Sequence, residues 1–242
     1  MTEPHGRVPV KICGLTREGD VDAAVAAGAD AVGFVLYPPS PRYVTPERAA
    51  ELAQRLPPFV TPVLLFVNAA PEQVAAACAG VPGALLQFHG DESPEQCWVA
   101  SGHGQRPYLR AARIAAGASI DLAAFAEDYA QARGVLLDAQ VAGYGGGGKT
   151  FDWSLVPPLP DTHLVLGGGL TPDNVAAGIA TLRPRCRTLS VDVSSGVEAA
   201  KGIKDAAKIH AFVAAVRAAA AETDTAAADA DTATDPDPAR VR

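Results

Sequence analysis

The chain has 242 residues, of which 48% are hydrophobic, and its formal net charge is −7. This length and apolar content suffice for one large domain or two small ones, and an acidic balance without a basic cluster argues against a nucleic-acid partner. No apolar run approaches the roughly 18 residues of a membrane span, and Met1–Pro9 lacks the apolar run of a signal peptide.

The cysteines and histidines show no metal-ligand spacing. The four cysteines contain no Cys-x-x-Cys pair, and the five histidines are scattered along the chain. We therefore expect a reduced, cytoplasmic protein without a metal or other cofactor. The sequence leaves open whether it is a monomer or a homodimer.

Eight strand-like runs recur along the chain with helical runs between them. Most are apolar without alternation, as in parallel strands that are covered on both faces. The fifth is the weakest, because Arg110 interrupts it. The predicted strands are Val8–Ile12, Ala31–Leu36, Pro62–Val67, Ala84–Phe88, Pro107–Ala112, Val135–Leu137, Leu164–Leu166 and Leu189–Val193.

The predicted helices are alanine-rich, and several begin with an N-cap residue followed by proline. This signal occurs at Thr45–Pro46, Ser93–Pro94 and Thr171–Pro172, and the last helix is predicted over Asp205–Ala221. Eight alternating units predict one α/β domain, a (β/α)8 TIM barrel over residues 8–221.

Residues 222–242 form an acidic segment of alanine, aspartate and threonine. Val241 is the only large apolar residue in it. Such a segment buries too little surface to offset the entropy of ordering. We predict a disordered C-terminal tail.

In a barrel of this kind, function lies in the loops that follow the strands. Cys13 follows the first strand, and Asp138 follows three apolar residues at the end of the sixth. A carboxylate there is costly unless it is paired or used. Both are candidate catalytic residues, although a lone cysteine is often only a small buried apolar residue.

Two further polar residues follow strands in the same way. Arg42 lies in a proline-rich loop after the second strand, and a guanidinium suits a carboxylate or a phosphate. His89 follows the fourth strand and is a candidate substrate-binding residue. A solvated arginine and a structural histidine are the alternatives.

Glycine-rich loops follow the seventh and eighth strands. They contain Gly168, Gly169, Ser194, Ser195 and Gly196. Glycines let backbone N–H groups approach an anion, and these two loops form the recurrent phosphate site of barrels. They predict a phosphate site, with ordinary tight turns as the alternative.

The segment Gly143–Thr150 also matches a nucleotide phosphate loop, G-x-x-x-x-G-K-[ST]. Such a loop must open a substantial helix, and Pro157–Pro158 leaves too little room for one. We therefore interpret the segment, including Lys149, as a lid over a ligand.

In order along the chain, these motifs resemble those of the phosphoribosylanthranilate isomerase family. Small departures are Phe88 for the usual leucine, Ala139 for threonine or serine, and Gly167 for serine or alanine. The resemblance covers Val10 to Val216, and its motifs are Lys11-Ile12-Cys13-Gly14-Leu15-Thr16, Gly28-Ala29-Asp30-Ala31-Val32-Gly33-Phe34, Ser40-Pro41-Arg42-Tyr43-Val44, Phe66-Val67-Asn68, Gln87-Phe88-His89-Gly90, Leu136-Leu137-Asp138, Gly147-Gly148-Lys149-Thr150-Phe151-Asp152-Trp153, Gly168-Gly169-Leu170-Thr171-Pro172-Asp173-Asn174-Val175 and Val191-Asp192-Val193-Ser194-Ser195-Gly196-Val197-Glu198.

The resemblance implies an Amadori rearrangement of a small phosphosugar substrate without a cofactor. It implies that Asp138 is the general acid, Cys13 the general base and Arg42 the ligand of the substrate carboxylate. A thiol has a pKa of about 8.5, so Cys13 needs a positive or dipolar neighbour. If Cys13 is only packed, His89 is the first alternative base.

Two alternatives remain open from the sequence. The first is another phosphosugar barrel isomerase, such as that of histidine biosynthesis, which would call for an aspartate where Cys13 stands. The second is a non-catalytic phosphosugar sensor, for which neither Cys13 nor Asp138 is needed.

Overall fold

The protein folds as a closed barrel of eight parallel strands, as the sequence predicts. The structure, a computed structural model, describes residues 7–114, 120–139 and 150–233. Each strand pairs with the next, and the eighth pairs with the first. The strands are β1 Val10–Cys13, β2 Ala31–Val35, β3 Thr61–Phe66, β4 Leu85–Phe88, β5 Tyr108–Ile114, β6 Gly134–Ala139, β7 Leu159–Leu166 and β8 Cys186–Val193.

Two strands begin three or more residues earlier than the sequence predicts. β7 begins at Leu159 instead of Leu164, and β8 at Cys186 instead of Leu189. The first half of each of these two strands contains polar, partly exposed residues, which a search for apolar runs does not detect. β5 forms despite Arg110, whose side chain is buried.

Seven α-helices lie outside the strands of the described chain. Thr45 and Ser93 cap their helices through the side-chain oxygen, as predicted. A short antiparallel pair, β9 Glu198–Ala200 and β10 Ile203–Lys204, follows the barrel. The helices are α1 Glu18–Ala27, α2 Pro46–Ala53, α3 Pro71–Gly80, α4 Pro94–Ala100, α5 Leu122–Asp128, α6 Val175–Leu182 and α7 Ala206–Ala233.

The start of α6 and the end of α7 differ from the prediction. α6 begins at Val175, because Thr171 N donates to Asn174 Oδ1 at 2.8 Å and closes a turn first. Between residue 150 and β7, the only helical segment is the 3-10 turn Trp153–Leu155. α7 continues past Ala221 to Ala233, through an alanine-rich stretch that favours helix. The division of the chain at residue 222 stays a prediction.

The packing places several buried polar groups on the barrel strands or directly after them. The main apolar cluster fills the space between the strands and the helices. Inside the barrel, the apolar residues form two small clusters, one around Leu65 and Val67 and one around Leu109 and Leu136. The buried polar residues Lys11, Gln87, His89, Asp138 and Asp192 all belong to barrel strands or directly follow one.

No helix within the described ranges has the length and apolar character needed to cross a membrane.

Candidate active site

Cys13 ends β1 and lies beside a buried ion pair. Lys11, two residues earlier on the same strand, places its Nζ 2.8 Å from Asp192 Oδ1 on β8. Gly33 is the register partner of Cys13 on β2. A Cβ on Gly33 would lie 2.7 Å from Cys13 Sγ and 3.1 Å from Lys11 Cε. The glycine therefore makes room for both side chains. We call Lys11, Cys13 and Asp192 the base cluster.

Charge and burial act against each other at Cys13. Burial raises the pKa of the Cys13 thiol, and Lys11 opposes this without cancelling it. Burial also disfavours the charge on Lys11, but Asp192 and the Cys13 thiolate together raise the pKa of Lys11. Lys11 is thus the positive neighbour that a thiolate requires, while the thiol form prevails in the unliganded protein.

Asp138 lies near the end of β6 and is bonded to His89. His89 Nε2 is 2.9 Å from Asp138 Oδ2, and His89 Nδ1 is 2.9 Å from Gln87 Nε2 on β4. All three side chains are buried. We call Gln87, His89 and Asp138 the acid cluster.

The loop that carries His89 is held from behind by a buried arginine. Arg110 on β5 donates to Phe88 O at 3.1 Å and to Gly90 O at 3.2 Å, the carbonyls on either side of His89. Its guanidinium lies 4.9 Å from the ring centre of Tyr129. Glu92 accepts a bond from Gly90 N at 2.9 Å. These contacts fix the direction of the imidazole.

Arg42 is buried after β2 and already holds an internal partner. Its Nε and Nη2 donate to the two carboxylate oxygens of Glu198 at 2.7 and 2.8 Å. Lys204 Nζ also donates to Glu198, at 3.0 Å. Burial favours the neutral acid, but Arg42 and Lys204 outweigh it and lower the pKa of Glu198. Glu198 therefore fixes the plane of the Arg42 guanidinium.

The two glycine-rich loops lie against each other, as a shared phosphate site requires. Gly168 and Gly169 have φ angles of +73° and +68°, which favour glycine. A Cβ on Gly196 would overlap Leu170 O in the neighbouring loop. Lys204 Nζ donates to Ser194 O at 2.9 Å and lies 3.2 Å from Ser194 Oγ. A buried cation thus supports the second loop.

The predicted site residues lie at strand ends, and their role in catalysis and binding stays a prediction, while several of their bonding partners were not predicted. Cys13, Asp138, His89 and Arg42 lie at or after the carboxyl ends of β1, β6, β4 and β2. The partners to which the sequence analysis assigned no role are Lys11, Gln87, Asp192, Glu198 and Lys204. All of them except Lys204 stand within the motifs of the family resemblance.

The alternative nucleotide interpretation gains no support from the described segments. Residues 143–149, including Lys149, lie outside them, and the 3-10 turn Trp153–Leu155 is too short to carry a phosphate loop. Asp192, in the second possible nucleotide motif, binds Lys11. No group of three metal-ligating side chains occurs within the described ranges.

The chain matches proteins of one known family over most of its length. Residues 10–215 match the family model of N-(5'-phosphoribosyl)anthranilate isomerase. The chain is 62% identical over 210 residues to the N-(5'-phosphoribosyl)anthranilate isomerase of Dechloromonas aromatica, covering 87% of this chain and 96% of the relative. It is 61% identical to that of Leptothrix cholodnii, covering 88% and 92%.

Solved structures of the same family superimpose on the barrel. The phosphoribosylanthranilate isomerase of Thermotoga maritima is 41% identical with a TM-score of 0.77, over 87% of this chain and 99% of that one. A related structure in complex with reduced 1-(o-carboxyphenylamino)-1-deoxyribulose 5-phosphate is 36% identical with a TM-score of 0.71, over 87% and 99%. The chain therefore belongs to the N-(5'-phosphoribosyl)anthranilate isomerase family.

Proposed function

We propose that the protein catalyses the Amadori rearrangement of N-(5'-phosphoribosyl)anthranilate to 1-(2-carboxyphenylamino)-1-deoxyribulose 5-phosphate, in tryptophan biosynthesis. Relatives that carry this enzyme's name match the chain over nearly their full length. The observation that carries the proposal is a pair of buried groups at strand ends. The Cys13 thiol at the end of β1 lies beside Lys11, and the Asp138 carboxyl on β6 is bonded to His89. An aldose–ketose isomerisation needs one base and one acid of this kind.

In the proposed first step, Asp138 acts as the general acid. It gives its proton to the furanose ring oxygen, and the bond between that oxygen and C1' breaks. The electron pair on the anthranilate nitrogen forms the C1'=N double bond of a protonated imine. The buried His89 contact orients the carboxyl group for this transfer.

In the second step, the Cys13 thiolate removes the proton from C2'. The C–H electrons form the C1'=C2' bond of an enamine, and the imine nitrogen becomes neutral. The enol then tautomerises: the C2' hydroxyl loses its proton to water, its O–H electrons form the C2'=O bond of the ketone, and the electrons of the C1'=C2' bond take up a proton from water at C1'. Lys11 stabilises the thiolate that this step requires.

The remaining predicted residues bind the two ends of the substrate. Arg42, oriented by Glu198, binds the anthranilate carboxylate. The loops at Gly168–Gly169 and Ser194–Gly196 bind the phosphate through backbone N–H groups. Their close contact and the support from Lys204 favour this assignment.

We further propose that the enzyme acts in the cytoplasm as a monomer or a homodimer. All four cysteines are buried free thiols, which suits a reducing compartment. One solved structure, 36% identical, is described as generated monomers of the dimeric phosphoribosylanthranilate isomerase of Thermotoga maritima, so both states occur for that relative. The substrate is a small phosphosugar, and neither nucleic acid nor a membrane is proposed as a partner.

The test is loss of the anthranilate substrate's fluorescence when the protein is added. We expect turnover by the wild type and a fall in kcat of about 10²–10⁴-fold in both Cys13→Ala and Asp138→Asn. Substrate binding should persist in both variants, because Arg42 and the phosphate loops are intact. Binding without turnover by the wild type would instead identify a phosphosugar sensor, and near wild-type turnover by Cys13→Ala would exclude the thiol as the base.

A further inference from the structure

Gln87 belongs to the acid cluster, but the proposed mechanism gives it no task. The side chain is fully buried on β4, and its Nε2 lies 2.9 Å from His89 Nδ1. Its Oε1 has no hydrogen-bond partner among the described residues. A buried amide oxygen without a partner costs free energy, so this arrangement needs a reason.

The amide orientation in the structure corresponds to an acid that has lost its proton. The NH2 group of Gln87 donates to His89 Nδ1, which must therefore present a lone pair. In a neutral ring, the proton then lies on Nε2, which donates to Asp138 Oδ2. Asp138 Oδ2 is an acceptor in this state, so Asp138 cannot hold a proton in its contact with His89.

Rotating the Gln87 amide by 180° would reverse the direction of the two hydrogen bonds that link Gln87, His89 and Asp138. Oε1 would then face His89 Nδ1, which becomes the donor, and the NH2 group would take the position where Oε1 has no partner among the described residues. His89 Nε2 then becomes an acceptor, and Asp138 carries a proton that it donates to His89 Nε2. The His89–Asp138 pair holds one more proton in this state, and that is the proton which the reaction transfers to the ring oxygen.

We propose that Gln87 is a positioning residue whose amide orientation sets the protonation of the His89–Asp138 pair. Oxygen toward His89 loads the acid, and NH2 toward His89 corresponds to the acid after proton transfer. The pair is reloaded by a proton from water. The inference rests on the proposed function of Asp138 as the general acid.

Other charged groups lie near Gln87, His89 and Asp138 and also affect how kcat depends on pH. Arg113 is the register partner of Asp138 on β5 and pairs with Asp91. Arg110 holds the backbone on both sides of His89. Glu92 lies in the same loop, and Lys11, Cys13 and Asp192 are the titratable groups of the base cluster. Arg42 and Lys204 are also buried and pair with Glu198. The variants below leave all of them unchanged.

Two near-isosteric substitutions should act in opposite directions. Gln87→Met removes the acceptor for Nδ1–H, so the pair loses its proton more easily and the alkaline fall of kcat moves to lower pH by about one unit. Gln87→Glu offers only acceptors, so the same fall moves to higher pH. We expect KM to change by less than about twofold. Gln105→Met, at an exposed glutamine, is the control and should leave the profile unchanged.

A second measurement separates this inference from the proposed function. Histidine nitrogen NMR, with His89→Asn for assignment, reports which ring nitrogen carries the proton whether or not the protein turns over. We expect Nδ1–H at the pH of full activity, Nε2–H above it, and Nδ1–H throughout in Gln87→Glu. An inactive wild type would overturn the proposed function. An active wild type with an unmoved alkaline limb in both variants, or with Nε2–H at every pH, would overturn the role of Gln87.

Discussion

At the scale of single residues, burial and the charge of Lys11 have opposite effects on the pKa of Cys13. Burial raises the pKa of Cys13, so the free enzyme needs a higher pH than an ordinary thiol would to form the thiolate. In the proposed mechanism, the deprotonated form is the base. Activity that depends on this thiolate therefore rises with pH through the raised pKa and is lost below it.

We expect Lys11→Met to move this rising limb of kcat/KM to still higher pH. The substitution removes the strongest influence that lowers the pKa of Cys13. The measurements are kcat/KM against pH and the ultraviolet absorbance of the thiolate, with Cys13→Ala subtracted. Lys11→Arg keeps the charge and should stay close to the wild type. An unmoved limb in Lys11→Met would limit Lys11 to a structural role.

The pairing of Arg42 with Glu198 makes a second prediction at this scale. Arg42→Lys and Glu198→Gln should each raise KM by about tenfold or more, since both disturb a two-point guanidinium contact. Steady-state kinetics and a thermal melt separate this effect from misfolding. Arg48→Lys, which alters the exposed pair with Glu51, is the matched control. An unchanged KM in Arg42→Ala would remove Arg42 from the site.

The catalytic candidates could be predicted from the sequence because each is a polar or reactive residue at the end of an apolar run. Their partners could not. Lys11 and Asp192 are 181 residues apart, and only closure of the barrel brings them together. Likewise, nothing in the motif containing Arg42 indicates that Glu198 occupies two of its donors.

At the scale of elements, strand register decides which groups meet. The pairing of β1 with β2 sets Cys13 opposite Gly33, and the absence of a side chain there leaves space for the thiol and for Lys11. The sequence predicts both strands but not this register. It also misplaces the start of α6, because a turn closed by Asn174 precedes the helix.

We expect Gly33→Ala to lower kcat by at least about tenfold while the barrel still folds. The added methyl group would lie 2.7 Å from Cys13 Sγ, so the thiol must move, and small misplacements of reacting groups are costly. The readouts are kcat and circular dichroism. Gly19→Ala on α1, where a Cβ meets nothing within 4 Å, should be neutral or slightly stabilising. Wild-type kcat in Gly33→Ala would show that the thiol tolerates displacement.

At the scale of the whole molecule, α7 attaches the end of the domain to the barrel. Phe212 and Val216 are buried in the main core. Further along, Ala220 O accepts a bond at 3.1 Å from the buried Arg183. The sequence predicts this helix from its apolar spacing, but its end could not be predicted, because alanine-rich residues after Ala221 permit helix without requiring burial.

Removing residues 222–242 should leave both the melting temperature and kcat unchanged, since the buried part of α7 and the Arg183 contact remain. Removing residues 219–242 deletes Ala220 and takes one acceptor from a buried guanidinium. That version should melt at least roughly 3 °C lower. Calorimetry of both truncations provides the comparison, and a large fall in the shorter deletion would show that the tail docks on the barrel.

The acid and base clusters lie on different arcs of the barrel, one on β4 and β6 and the other on β1 and β8. Within the described residues, no hydrogen bond links the two clusters. In the proposed mechanism, both clusters act on the same substrate, so the bound substrate couples their contributions to catalysis. Paired substitutions, one from each cluster, should have additive effects on the free energy of unfolding and non-additive effects on kcat. Either arc can thus be altered by mutation without loss of stability in the other.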